Sequence, residues 1–152
     1  METTLSPSRR RDPVHQFSIF TENKVGKLNE WIQRLGAEDI HIIAICMLDS
    51  TECTIMRFIP DYPDQARQFL EEHGYPYTET EILVAEIATE AQIRHVTAAL
   101  VEAEINIHYI YPLVARPEGK SALALHVEDL ELAASALHNR GIRALNQADI
   151  AR

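Results

Sequence analysis

Residues 16–80 and 81–150 carry the same order of elements twice, and this repetition constrains the fold more than any other feature of the chain. Key positions superimpose at a shift of about 65–67 residues. Ile40-His41-Ile42 falls on Ile105-Asn106-Ile107, and Gly74 falls on Gly141, each glycine closing a helical stretch. Self-similarity at a fixed period means one supersecondary unit used again. Each unit is only about 65–70 residues long, and units that small bury a modest share of their surface unless they lean on a partner. The nearest partner is the other copy.

The periodicities are those of strand, helix, strand, strand, helix, strand. Gln16–Phe20 alternates as a strand. Leu28, Trp31, Ile32 and Leu35 recur at helical spacing and make one apolar face. Ile40–Leu48 and Thr54–Ile59 read as strands around the polar turn Asp49–Glu52. Pro63 and Asp64 open a second helix with Ala66, Phe69 and Leu70 inward, and Tyr77–Val84 is the fourth strand. The second copy runs through a strand at Leu83–Ile87, a helix carrying Ile93, Val96 and Leu100, and a strand at Ile105–Leu113. After the loop Arg116–Lys120 come a strand at Ala122–Val127, a helix at Leu132–Arg140 and a last strand at Ile142–Asn146. The expected division is a disordered tail over 1–14, a first module over 15–82 and a second over 83–152.

This order predicts an α+β fold of two ferredoxin-like βαββαβ modules, each with two helices on one face of a four-stranded antiparallel sheet. The other face of such a sheet is ordinarily polar. Here it is not. Strict alternation puts Ile40, Ile42, Ala44, Cys46 and Leu48 on one side of the second strand and Ile43, Ile45 and Met47 on the other. In the second copy Ile105, Ile107, Tyr109 and Tyr111 share a side opposite Ile110. Strands apolar on both faces want cover on both, so the modules are expected to pack together as a pseudo-dimer. Any apolar face left over would suit a second chain, hence a homodimer.

Charge excludes several classes of partner. The net charge is −9; three arginines against two acids leave the tail at +1 and the remainder near −10. Such a body repels phosphate backbones and anionic membranes, so no nucleic acid and no membrane partner is expected. The longest apolar run, Ile42–Leu48, is seven residues, against about 20 for a membrane span. Polar first residues and two cysteines, Cys46 and Cys53, without a CxxC pair fit a cytoplasmic protein with buried, inert thiols. The seven histidines form no paired metal spacing, no phosphate loop or dinucleotide fingerprint is present, and no metal or cofactor is expected. Nor is there a Ser-His-Asp order, so no catalytic residues are assigned.

The local motif that stands out is Glu22-Asn23-Lys24-Val25-Gly26-Lys27-Leu28, between the first strand and the first helix. A helix N-terminus presents unpaired N–H groups and partial positive charge, and Gly26 would let a ligand approach the backbone. A plainer alternative is that Asn23 caps the helix and Gly26 eases the turn.

The doubled βαββαβ order, the Glu-Asn-Lys-x-Gly-x-Leu turn and the Ile-His-Ile and Ile-Asn-Ile openings resemble the ACT domain family over about residues 15–148. The resemblance implies a non-enzymatic regulatory module. Such domains bind amino acids or similar small metabolites between paired domains and regulate enzymes such as aspartate kinase and phosphoglycerate dehydrogenase. It also implies a site: the turn before the first helix, here Asn23, Lys24, Val25, Gly26, Lys27 and Leu28, facing the start of a neighbour's second strand, here Asn106. The equivalent turn of the second copy, Ala88-Thr89-Glu90-Ala91-Gln92-Ile93, has Ala91 in place of Gly26, and His41 stands where the other site has Asn106. One intact site per pair of modules is therefore expected. The same sheet face could instead serve a ligand-free interaction module. An acylphosphatase-like enzyme lacks its catalytic Arg turn here, and an RNA binder lacks its aromatic strands.

Overall fold

Four helix ends show how literally the repeat is folded. A computed structural model describes residues 12–22, 24–50 and 52–151. Helix α1 (Lys27–Ala37) ends where Asp39 takes a left-handed φ of 58° and Ile40 N–H reaches back to Leu35 O at 3.0 Å. Helix α3 (Gln92–Glu102) ends the same way 65 residues later, with Glu104 at φ 56° and Ile105 N–H on Leu100 O at 2.9 Å. Helices α2 (Pro63–Glu72) and α4 (Leu130–Asn139) close on Gly74 and Gly141, both at positive φ, with Tyr75 N–H on Leu70 O and Ile142 N–H on Leu137 O. Left-handed residues of this kind satisfy the last carbonyls of a helix and turn the chain back into the sheet.

Strands β1 (Val14–Thr21), β2 (Ile42–Asp49), β3 (Thr54–Pro60) and β4 (Tyr77–Ile87) pair antiparallel in the order β2-β3-β1-β4. Strand β4 is 11 residues long and changes partners midway. Its first half, up to Ile82, pairs with β1; its second half, from Leu83, pairs with β6 (Ser121–Val127) on one side and the two-residue β7 (Ala144–Leu145) on the other. Strand β5 (Ile107–Pro112) completes the second sheet beside β6. The protein is two ferredoxin-like modules forming one pseudo-dimer.

Three apolar cores stack through it. Phe17, Ile19, Trp31, Leu35, Met56, Phe58, Phe69 and Leu70 fill the space between the first sheet and its helices, with the Trp31 ring edge-on to Phe58 at 4.7 Å. Val96, Leu100, Leu125 and Leu137 anchor the equivalent core of the second module. Between the sheets, Val14, Ile43, Ala44, Ile59 and Ile82 meet Val84, Tyr111, Ala122, Ala124 and Leu145. Each large apolar side chain buried this way is worth about 1.5–3 kcal/mol, and the middle core exists only because both modules are present.

Strict alternation along the second strands is corrected by two bulges. The register slips between Ile42 and Ala44 in β2 and between Ile107 and Tyr109 in β5. An extra residue flips the faces beyond it. Ile40, Ile42 and Ile45 therefore face the helices, while Ile43, Ala44 and Cys46 face the other sheet. Likewise Ile105 and Ile107 face helices, and Tyr109 and Tyr111 face the first sheet. The bulged Ile43 has its carbonyl free of the ladder, and Val114 and Ala115 N–H donate to it at 2.8 and 3.1 Å, tying the second module to an edge of the first.

Both ends of the chain also differ from expectation. Of the expected tail over 1–14, residues 1–11 lie outside the described residues, but Val14 is buried in β1. Asp12 caps a short helix α5 (Gln147–Ile150) with its carbonyl on Gln147 N–H and its carboxylate on Ala148 N–H. The expected last strand shrinks to β7 because α5 begins at Gln147. The Gln147 side chain then accepts from His15 N–H at 3.2 Å and donates to Asp61 O at 3.0 Å, clasping the first module. Cys46 and Cys53 are free and half-buried rather than fully buried.

Candidate functional site

Gly26 stands immediately before α1 at φ 87°, a left-handed conformation that L side chains adopt at a cost. Its carbonyl accepts the first intrahelical bond, from Glu30 N–H at 3.0 Å, and Lys27 N–H turns back to Lys24 O at 3.3 Å. No described group accepts from the N–H of Leu28 or Asn29, which belong to the first turn that a helix leaves unpaired. A Cβ added at Gly26 would meet nothing within 4 Å, so the approach to this backbone is open.

Five of the expected site residues are contiguous in this turn. Lys24, Val25, Gly26 and Lys27 are exposed, and Leu28 is half-buried against the first module's core. Asn23 lies outside the described residues. The Lys24 ammonium is held by Glu22 at 2.6 Å, and that hydrogen bond draws the Glu22 carboxyl below its ordinary range. Lys27 makes no ion pair among the described residues. Asn106 is exposed just before β5; its carbonyl accepts from Glu128 N–H at 3.2 Å, and no hydrogen bond joins it to Lys24–Leu28. The turn is thus one unit, and no hydrogen bond draws Asn106 to it.

A cleft of about 440 Å³ opens beside the turn, between α1 and the α2–β4 corner. Thr21, Glu22, Lys27, Glu30, Arg34 and Tyr75 line it, offering both signs of charge. Arg34 pairs with Glu30 at 2.8 Å and donates to the Tyr75 hydroxyl at 3.0 Å. Of the expected site residues Lys24–Leu28 and Asn106, Lys27 alone lines this cleft; Glu22 from the same motif and Trp31 from the helix face line it too. Helical spacing brings Glu30 and Arg34 together on α1 and was readable as an i, i+4 pair; the contribution of Tyr75 depends on the fold.

The second module's turn has another shape. Ala91 holds φ −60° where Gly26 holds 87°, and the helix start is knitted by Gln92 and Ile93 N–H to Thr89 and Glu90 carbonyls. The Gln92 side chain folds back to accept from Ala88 N–H at 2.5 Å, occupying a backbone donor itself. His41 binds locally, with its ring 3.2 Å from Asp39 and its N–H on the Asp61 carboxylate.

The ACT domain pair family matches residues 13–150, nearly all of this sequence. The chain belongs to the ACT domain pair family. Solved relatives repeat this fold at low identity. A protein from Bacteroides thetaiotaomicron is 22% identical with a TM-score of 0.81, covering 91% of this chain and 96% of its own. The regulatory subunit of aspartate kinase from Thermus thermophilus is 18% identical with a TM-score of 0.60, covering 85% and 93%. No curated protein matches the chain in sequence. Among the described residues of this ACT pair, no helix is long and apolar enough to cross a membrane.

Proposed function

We propose that this ACT pair is a non-enzymatic sensor whose turn Asn23–Leu28 takes the charged end of an amino acid or similarly small metabolite, with Asn106 as the facing group. The contrast between the two turns carries this reading. One is open, glycine-shaped and leaves helix N–H groups unpaired; the other is alanine-shaped and closed by its own Gln92. Unpaired N–H groups at a helix start suit a carboxylate, and an amino group could exchange for Lys24 or Arg34 at the Glu22 and Glu30 carboxylates beside the turn. One site per chain follows. The likeness to a regulatory subunit of aspartate kinase supports a target among enzymes of amino-acid metabolism, held as a separate protein. A ligand reaching from the turn to Asn106 would favour one arrangement of the modules, so binding becomes a shift in population.

A thermal-shift screen of the amino acids tests this, repeated on Gly26→Asp. Aspartate tolerates the left-handed conformation better than most residues and puts a negative charge where the carboxylate would sit. A hit that survives unchanged in this variant overturns the assignment.

A ligand-free interaction module is the second reading. It is favoured by Phe20, Ile55 and Leu48, which lie side by side across β1, β3 and β2, with Phe20 38% and Leu48 49% exposed. A second copy of the chain would cover that row and form a homodimer. No shift with any amino acid, together with a dimer lost in Leu48→Glu, would favour this reading instead.

A further inference from the structure

Arg57 is the one described arginine that is half-buried and has no carboxylate partner. Arg34, Arg67, Arg140 and Arg143 all form ion pairs, and the other unpaired arginines, Arg94 and Arg116, are exposed. In a chain of net charge −9 an unpaired, partly desolvated guanidinium is out of place.

Its surroundings share the same deficit. Arg57 lies on β3 beside Ser18 and Cys46, on the face turned toward the second module. Across the gap its guanidinium sits 4.0 Å from the centre of the Tyr109 ring. His126, the ladder partner of Tyr109, places its ring 4.9 Å from that ring and 4.8 Å from His108. Arg57 Nε and His126 Nδ1 are both buried without a hydrogen-bond partner. Buried polar atoms are ordinarily paired, so two orphans at one rim call for an explanation. Burial, then His108 and Arg57, lowers the His126 pKa, and no carboxylate opposes them.

A hydrogen-bond chain adds a third group. Tyr111 donates to Gln16 Oε1, and Gln16 Nε2 donates to the Tyr109 hydroxyl at 2.6 Å. Tyr109 therefore accepts, and its own hydroxyl proton has no acceptor among the described residues. Arg57, Tyr109 and His126 are half-buried and His108 is exposed, so the rim meets solvent although the two orphan atoms lie beneath it.

We propose that this rim between the two sheets, built from Arg57, His126, His108 and Tyr109, is a binding site for a small oxyanion, carboxylate or phosphate, separate from the turn before α1. The guanidinium fork matches the paired oxygens of either group. Because Arg57 belongs to one module and the other three to its partner, an anion held here bridges the modules.

Titrations with inorganic phosphate and with acetate, in separate arms at constant ionic strength, test the site by the ring signals of the seven histidines. Saturable shifts of His126 and His108 ahead of the other five are expected, and the arm that saturates identifies the oxyanion. Arg57→Gln should weaken binding on the order of tenfold or more, as for the loss of a hydrogen bond to a charged group. Gly26→Asp should leave it unchanged. Shifts that stay linear in both arms, that are uniform over all histidines, or that keep their affinity in Arg57→Gln overturn the proposal. Should Arg57→Gln not fold, Arg57→Lys takes its place: weaker binding from the lost fork supports the site, and unaltered affinity overturns it.

Discussion

Tyr111→Phe should destabilise the protein by about 1–3 kcal/mol, although it removes a single oxygen atom. Tyr111 is 5% exposed and its hydroxyl donates to Gln16 Oε1; Gln16 is fully buried between the sheets. The lost hydrogen bond is worth about 1 kcal/mol net, and the stranded acceptor adds its own desolvation penalty. In a chain of this size each kcal/mol lowers Tm by roughly 2–4 °C, so a fall of about 2–12 °C is expected. Urea denaturation with the slope held constant gives the free energy directly. Tyr75→Phe is the control, because its hydroxyl meets Arg34 in an exposed setting and should cost under about 0.5 kcal/mol. Gln16→Leu removes the other partner. Tyr111→Phe with Gln16→Leu should then cost less than the sum of the single changes by at least about 0.5 kcal/mol. A cost for Tyr111→Phe no larger than the control, or strict additivity with Gln16→Leu, would refute the idea that this buried bond joins the modules.

Other perturbations probe separate parts of the molecule. Gln147→Ala removes the clasp between α5 and the first module, with its bonds to His15 and Asp61, and should lower stability by about 2–3 kcal/mol in denaturant unfolding; an unchanged midpoint would mean that α5 only lies against the body. Gly26→Ala should cost about 1–2 kcal/mol from the left-handed backbone alone, since its Cβ has open space, and Gly26→Asn should cost less. His126 titrates below its ordinary 6.5 in the folded chain. As pH falls through that value the unfolded chain takes up the proton first, so stability should decline below about pH 6.5 and level off below the folded pKa. His126→Gln should flatten that part of the pH profile, and equal slopes in both proteins would contradict the shift.

The repeat was legible because helix periodicity and the helix-ending glycines depend on neighbours in the chain. Trp31 and Leu35, and Val96 and Leu100, are buried as their spacing predicts. Face assignments along β2 and β5 failed because a bulge shows only in strand pairing, and one slipped residue at Ile43 reverses everything after it. Helix α5 was missed because four residues give no periodicity, although Asn146 and Asp149 form a capping box. Within the candidate site, Gly26 was readable as a turn residue open to a ligand, while its positive φ emerges only in the folded chain. The cleft beside it was not, since Tyr75 arrives from a distant corner. The cluster around Arg57 and His126 was equally hidden, though polar Gln16 and Ser18 at inward positions of an apolar strand were a clue that β1 faces something other than a plain core.

Calorimetric titration with an amino acid that raises Tm tests the central claim most directly, because it counts sites. The account predicts one ligand per chain, binding lost in Gly26→Asp and weakened in Asn106→Ala. Two equivalent sites per chain, or the same affinity in Gly26→Asp, would contradict it.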